Sequence, residues 1–261
     1  MKITKTAIYE QVLVPNSFID LLKHLSTPHP KWNDRTWMWR GQSDISWPVH
    51  SAAFRRLFPT NRNIKDEDIF NYEKDLLEQA THKGFRSIDG CLISDIELLA
   101  RLQHHGAATR LIDFTRNMLI ALWFACFYEP QKTGLLLGFH TAHIVGYEGE
   151  MDCRNYKEIH GWALDVDNPI TWEPTSVSKR IAAQHSQFVY SRISTDVTGS
   201  LWFPKSEDSK KIIALSPSFK KETVKILEQL FDIRYHTIFP DLDGFGGANS
   251  HTMPKGYMHR W

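Results

Sequence analysis

The longest apolar run of the chain, Met118 to Tyr128, carries no charged residue and constrains the fold more than any other feature. A helix that is apolar on nearly all sides must be buried between other elements. We expect this helix to begin near Asn117 and to end before Pro130. The run is too short to span a bilayer, so it predicts the centre of a soluble core rather than a membrane segment.

The composition allows one large globular domain. The chain has 261 residues, 42% of them hydrophobic, and 31 Lys and Arg balance 30 Asp and Glu. A near-neutral chain has no overall field that draws it to nucleic acid or to a membrane. With no repeat or linker-like stretch, a single domain over residues 1–261 is expected. Three widely spaced cysteines fit neither a disulfide framework nor a zinc site, which favours the cytoplasm.

Helical and strand patterns alternate irregularly along the chain. The predicted helices are 67–82, 94–106, 117–129, 178–186 and 219–231, with Ser94, Asn117 and Ser178 as caps of the second, third and fourth and with Gly106 ending the second. The predicted strands are 37–39, 111–115, 187–193, 234–239 and one that starts at Gly134. Because the strands are short and irregularly placed, we expect an α+β fold.

Arg40 and Gly41 directly follow the apolar stretch Trp37 to Trp39. Arginine is rarely buried without a partner, and glycine lets a ligand approach the backbone closely. The pair is suited to holding a phosphate or a carboxylate. The alternative is an arginine paired with an internal carboxylate beside a glycine turn.

The stretch LIDFT, residues 111–115, places Asp113 and Thr115 on one face if it forms a strand. A carboxylate and a hydroxyl would then line one pocket wall. A structural network is equally compatible with the pattern, with Asp113 bound to Arg110 or to backbone amides and Thr115 capping the next helix. His104 and His105 are adjacent and rarely face one ion together, so no metal site is predicted and the histidines are read as hydrogen-bonding supports.

Two further stretches combine polar residues with helix or turn signals. Arg180 and Gln184 are four residues apart and so share a helix face. FPDLDGFGG, residues 239–247, sets Asp241 and Asp243 before a glycine cluster but lacks the other ligands of a calcium loop. An Asp- and Gly-rich turn is the expected structure there.

Taken in order, these stretches resemble the FRG domain family, named for a Phe or Tyr followed by Arg-Gly. The resemblance runs from about Trp37 to Gly244. The matching positions are Arg40, Gly41, Gln42, Gln103, His104, Gly106, Thr109, Arg110, Leu111, Asp113, Thr115, Ala121, Phe124, Ala125, Arg180, Gln184, Phe188 and the run Phe239 to Gly244. Trp39 replaces the usual Phe or Tyr, and Ser186 stands where a glycine usually follows the glutamine.

A more distant resemblance is to ADP-ribosyltransferases. Their aromatic-Arg-Gly strand is similar to Trp39-Arg40-Gly41, and their Ser-Thr-Ser element and Ala-x-x-Phe-Ala helix are similar to 113–115 followed by 121–125. The resemblance implies an NAD-binding cleft between two small sheets, flanked by helices. It also implies transfer of ADP-ribose to a protein or nucleic acid, or hydrolysis of NAD, as in a toxin or a phage-defence protein.

The same resemblance implies roles for individual residues. Arg40 would hold the NAD pyrophosphate or a ribose, the Gly41 backbone would pair with the nicotinamide carboxamide, and Thr115 would bridge the ribose and a catalytic carboxylate. The other cofactor-binding residues implied are Gln42, His104, Arg110 and Gln184. The predicted catalytic set is Arg40, Asp113, Thr115 and Asp243.

One element of that family is missing. ADP-ribosyltransferases carry a glutamate on a late strand. The matching region of this sequence, Gln184-His185-Ser186-Gln187, contains no acidic residue. Either an aspartate takes the role of that glutamate, or the fold binds a nucleotide without catalysing a reaction. The alternatives are therefore a non-catalytic nucleotide-binding or interaction module, and a metal-dependent nuclease whose Asp113, Asp241 and Asp243 would have to converge.

Overall fold

A computed structural model describes residues 1–27, 31, 35–147, 152–174 and 178–253. Within these residues the fold is a mixed α/β arrangement of ten helices with one nine-stranded sheet and one two-stranded sheet. The strands are β1 Lys2–Thr4, β2 Val12–Val14, β3 Trp37–Gln42, β4 Ser87–Ile88, β5 Cys91–Leu92, β6 Ile112–Thr115, β7 Gly134–His140, β8 Val145–Tyr147, β9 Ile170–Trp172, β10 Ser186–Tyr190 and β11 Lys210–Leu215. The helices are α1 Phe18–Leu25, α2 Ala52–Leu57, α3 Asp66–His82, α4 Asp95–His104, α5 Met118–Phe127, α6 Tyr156–Asp165, α7 Lys179–Ala183, α8 Pro217–Phe231, α9 Tyr235–Ile238 and α10 Leu242–Ala248.

The large sheet has the order β1-β2-β11-β7-β3-β6-β10-β9-β8. Most neighbours are antiparallel, and β2 with β11 and β8 with β9 are parallel. The expectation of two small sheets was wrong for the main architecture, because β3 joins β6 and thereby makes one continuous sheet. The separate pair β4–β5 is only a hairpin, closed by Asp89 and Gly90 with positive φ angles of 50° and 81°.

The centre of the sheet is unevenly paired. Strand β3 pairs with β7 along its whole length, from Trp37 opposite His140 to Gln42 opposite Leu135. Its ladder with β6 contains one pair, Trp39 opposite Thr115. The two strands therefore meet at one point and leave backbone groups on either side of it for other partners.

Helix α5 lies directly on β3, and Gly41 is the residue that permits this. A Cβ atom built on Gly41 would overlap the carbonyl oxygen of Ala121 and lie 2.7 Å from the backbone nitrogen of Ala125. A glycine facing two alanines lets the helix approach the strand closely. The small residues of the Arg-Gly and Ala-x-x-Phe-Ala motifs are thus explained by packing between these two elements.

Two groups of helices cover the same face of the sheet. One apolar cluster joins α5 and α8 to Trp39 and Leu136, and a second joins α3, α4 and α6 to Trp172 and Phe188. Trp39 and Phe188 lie on this face because both pair with residues of β6 that share it, Thr115 and Asp113. The helical layers separate over β6, where a cavity opens.

Lys220 on α8 connects distant parts of the chain. Its side chain is fully buried, and its Nζ donates to the carbonyl oxygens of Ser43, Tyr128 and Glu129 at 2.8 to 2.9 Å. One ammonium group thus ties α8 both to the end of α5 and to the turn after β3. Burial lowers the pKa of Lys220, while the three carbonyl oxygens satisfy its three protons.

Most local predictions are confirmed, and two are wrong. The expected turn in residues 239–247 is instead largely helix α10, because Asp241 accepts from the N–H of Gly244 and so caps a helix. Helices 67–82 and 117–129 are observed as α3 and α5, with Ser94, Asn117 and Ser178 as N-caps of α4, α5 and α7. The predicted strand 234–239 is instead helix α9. Because Tyr235 and Ile238 are both buried, they need one face at a spacing of three, which a helix supplies and a strand does not. No helix in the described part of the chain is long and apolar enough to cross a membrane.

Candidate functional site

A cavity of about 360 Å³ opens where the two helical layers separate. Its wall is built from β3, β6, α4, α5, α7, β10 and the segment before α10. The lining residues are Trp39, Arg40, Gly41, Ala100, Gln103, His104, Asp113, Phe114, Thr115, Ile120, Ala121, Phe124, Arg180, Ile181, Gln184, Ser186, Phe188 and Phe239. Six predicted site residues therefore share one cavity: Arg40, Gly41, His104, Asp113, Thr115 and Gln184.

Among the residues that the structure describes, Asp113 is the one acidic residue in that wall. Its side chain is exposed to the open space of the cavity, and its Oδ1 accepts a hydrogen bond of 2.9 Å from Nε2 of Gln103. The surrounding protein desolvates the carboxyl group and raises the pKa of Asp113, while the charge of Arg40 and the hydrogen bond from Gln103 oppose this rise. The predicted partner Arg110 is not its neighbour.

Arg40 occupies the region where β3 and β6 diverge. Its Nη1 donates to the backbone carbonyl oxygen of Asp113 at 2.8 Å, a group that the short β3–β6 ladder leaves free. Its Nε donates to Oε1 of Gln42 at 3.3 Å, and Nε2 of Gln42 donates to the carbonyl oxygen of Trp47 at 2.9 Å. Gln42 is buried and lies outside the cavity, where it holds Arg40 in place. Desolvation lowers the pKa of Arg40, and the nearby Asp113 opposes this.

The Thr115 hydroxyl is committed to structure. It donates to the carbonyl oxygen of Gln184 at 2.7 Å and accepts from the backbone N–H of Asn117 at 3.0 Å. It therefore ties β6 to the end of α7 and to the start of α5, although the cap of α5 is Asn117 and not Thr115. The left-handed residue after Gln184 is His185, with φ of 46°, and Ser186 then begins strand β10.

A second polar group forms around Arg180 in the cavity wall. Its Nη2 lies 2.7 Å from Oδ1 of Asp241, and its guanidinium lies 5.2 Å from the ring centroid of Phe239. Asp241 also caps α10 by accepting from the N–H of Gly244 at 2.8 Å, and its Oδ2 lies 3.8 Å from Nε2 of His104. Burial and the charge of Arg180 lower the pKa of His104.

Arg110 and Asp243 lie outside the cavity wall. Arg110 is buried, and its Nε donates to Oε2 of Glu73 at 2.7 Å while its Nη2 lies 3.2 Å from Nδ1 of His160. The hydroxyl of Tyr156 donates to the same carboxylate. Burial and the charge of Arg110 lower the pKa of His160 to about 4, so its neutral ring can accept this hydrogen bond. Asp243 is exposed on α10.

Metal binding has no ready donor set among the residues that the structure describes. No group of three or more His, Cys, Asp or Glu side chains there could hold an ion. Asp113, Asp241 and Asp243 are all within the described ranges, so the convergence that a metal-dependent nuclease would need is not observed.

Several lining residues received no role from the sequence, namely Trp39, Gln103, Phe124, Phe188 and Phe239. Spacing alone could not single out the four aromatic residues, because apolar rings at such positions are ordinary core residues. Each of them nevertheless lies at a position of the FRG resemblance. The family motif therefore indicated these cavity residues, whereas hydrophobic periodicity did not.

Comparisons with known proteins support this identification. Residues 35–133 match the family model of the FRG domain, a stretch that starts just before β3 and ends just before β7. Searches of curated proteins and of solved structures returned no match. The matched stretch contains the Arg40-Gly41 pair, Gln103, Asp113 and the whole of α5. The similarity to the FRG domain family is therefore shown for residues 35–133 of this chain.

Proposed function

We propose that the cavity binds the nicotinamide riboside part of NAD and that the protein breaks its glycosidic bond, passing ADP-ribose to a macromolecule or to water. The observation that carries the proposal is one carboxylate, Asp113, exposed inside a cavity lined with aromatic rings. The similarity of residues 39–41 and 113–125 to ADP-ribosyltransferase motifs adds support.

The chemistry requires an anion close to the ribose. When the bond between ribose C1 and the nicotinamide nitrogen breaks, its electron pair leaves with nicotinamide and C1 acquires oxocarbenium character. The ionised Asp113 would stabilise that positive charge, as carboxylates do in glycoside cleavage. An acceptor oxygen then attacks C1 and loses its proton to Asp113 or to solvent.

The remaining cavity residues suit the other parts of NAD. Trp39, Phe124 and Phe239 offer apolar ring surface for nicotinamide, whose positive charge in NAD also favours aromatic neighbours. The guanidinium groups of Arg40 and Arg180 are the cations available to the pyrophosphate. A bound phosphate would share Arg180 with Asp241.

The test uses the purified chain with NAD labelled in the nicotinamide ring. We expect nicotinamide release, and we expect Asp113→Asn to lower its rate by about 100-fold or more, as when one stabilising group of a transition state is removed. The matched control is Asp75→Asn, the same chemical change on the exposed face of α3, which should leave the rate unchanged. If the protein neither releases nicotinamide nor shows a rise in Tm with NAD, the proposal is rejected.

The second candidate function is a non-catalytic nucleotide-binding module. It is favoured by the commitment of the Thr115 hydroxyl to two backbone groups and by a cavity wall whose one acid is an aspartate. It would be supported by a rise in Tm with NAD that Arg180→Ala abolishes, without release of nicotinamide.

A further inference from the structure

Gln103 connects the exposed carboxylate of the cavity to a buried hydroxyl. It lies in the last turn of α4, next to the wall formed by β6. Its Nε2 donates to Oδ1 of Asp113 at 2.9 Å, and its Oε1 accepts a hydrogen bond from the Oγ1 of Thr109. Thr109 has no exposed surface and does not line the cavity.

The hydrogen bonds fix the orientation of the Gln103 amide. An ionised carboxylate only accepts hydrogen bonds, so the NH₂ group must face Asp113 and the carbonyl must face Thr109. The Thr109 hydroxyl accepts from the backbone N–H of Leu111 at 3.2 Å, so its own proton is available to Gln103. The three side chains thus form a directed chain of hydrogen bonds that ends at the cavity.

These hydrogen bonds leave one carboxylate oxygen of Asp113 for a ligand. Gln103 engages Oδ1 of Asp113, and Oδ2 has no side-chain hydrogen bond to any residue in the described ranges. Since the side chain of Asp113 faces the open space of the cavity, the hydrogen bond from Gln103 gives its carboxylate a defined direction.

We propose that Gln103, held by Thr109, is the positioning residue of Asp113 and directs its free carboxylate oxygen at the reacting ribose carbon. This proposal rests on the proposed function, in which Asp113 is the stabilising anion. A carboxylate displaced by about 1 Å can lose about 100-fold in rate, so the hydrogen bonds matter for turnover more than for binding.

Thr109 allows a test that leaves the cavity wall intact. Thr109→Val keeps the shape of the side chain and removes the hydroxyl, whereas Thr109→Ser keeps the hydroxyl. We expect Thr109→Val to lower kcat by about 10-fold with KM for NAD unchanged, and Thr109→Ser to restore most of the rate. A loss that is the same in both variants would indicate packing alone and would overturn the proposal.

A second measurement does not depend on activity. The carboxyl carbon of Asp113 can be titrated by ¹³C NMR, with Asp113→Asn identifying its signal. Gln103→Leu removes the hydrogen bond to the ionised form, so the pKa of Asp113 should rise further, with Arg40 and Arg55 as the remaining charges that face it. If the pKa of Asp113 is the same in Gln103→Leu as in the wild type, the proposed role of Gln103 is overturned. If wild-type protein releases no nicotinamide but the titration shifts, the proposed function fails and the positioning by Gln103 stands.

Discussion

Glu73 and Asp113 each lie close to an arginine, but the protein engages the two carboxylates differently. Glu73 is fully buried and shared among Arg110, Tyr156 and a backbone amide, so every part of it is used by the fold. Asp113 is exposed in the cavity and has one side-chain hydrogen bond, from Gln103. A group that a ligand can reach must be left incompletely satisfied by the protein, and Asp113 fits that description.

The first prediction concerns the pH dependence of Asp113. Its pKa lies above the ordinary 3.8, so the folded protein keeps this proton at pH values where the unfolded chain has lost it. Ionisation of Asp113 therefore lowers the free energy of unfolding as pH rises from 3.8 through the raised pKa. Asp113→Asn does not titrate, so its Tm relative to wild type should increase across that window and then stay level. Melting curves from about pH 4 to 8 would check this, and a difference that shrinks as pH rises would contradict it.

The second prediction concerns the buried network of Glu73. Glu73→Gln should lower the free energy of unfolding by about 3 to 5 kcal/mol, because Arg110 would remain charged and buried without its anion. Denaturant titration measures the loss. Glu78→Gln on the same helix is the control, since its ion pair with Lys74 is exposed and its loss should cost less than about 0.5 kcal/mol. Similar losses in the two variants would show that Arg110 has another partner.

Among the elements, those with local signals were predictable from sequence. Ser94, Asn117 and Ser178 each precede an apolar pattern and each caps a helix as expected. Helix α9 was mistaken for a strand because a single short turn leaves no periodicity to read. The joining of β3 to β6 was also out of reach, since it rests on one residue pair that is distant in sequence.

The third prediction tests the contact between β3 and α5. Gly41→Ala should lower the free energy of unfolding by about 3 kcal/mol, because its methyl group would meet the backbone of Ala121 and Ala125, which cannot move without shifting the whole helix. Gly161→Ala is the matched control, as no atom lies within 4 Å of its added methyl group. In the middle of α6 that change should raise stability by about 0.5 to 1 kcal/mol. A tolerated Gly41→Ala would show that the glycine is kept for ligand approach instead.

The cavity belongs to the whole molecule and not to the matched stretch alone. Its wall takes Trp39, Asp113 and Phe124 from residues 35–133, but Arg180 and Phe239 from later in the chain. From the sequence motifs, six of the cavity residues were assigned to the site. That they meet in one cavity, between two layers of helices, depends on pairings far apart in the chain and could not be read from local patterns.

The last prediction follows from that dependence: residues 35–133 expressed alone should not fold cooperatively. The fragment keeps β3 and β6, which share one residue pair, and loses their long partners β7 and β10. It also loses α8, so part of the apolar surface of α5 would face water, and Lys220 could no longer bind the end of α5. Circular dichroism should show no sigmoidal melting for the fragment and a single transition for the whole chain. A cooperative transition of the fragment would contradict the prediction of one domain over residues 1–261, because a stretch that folds without β7 and β10 would have to carry a core of its own.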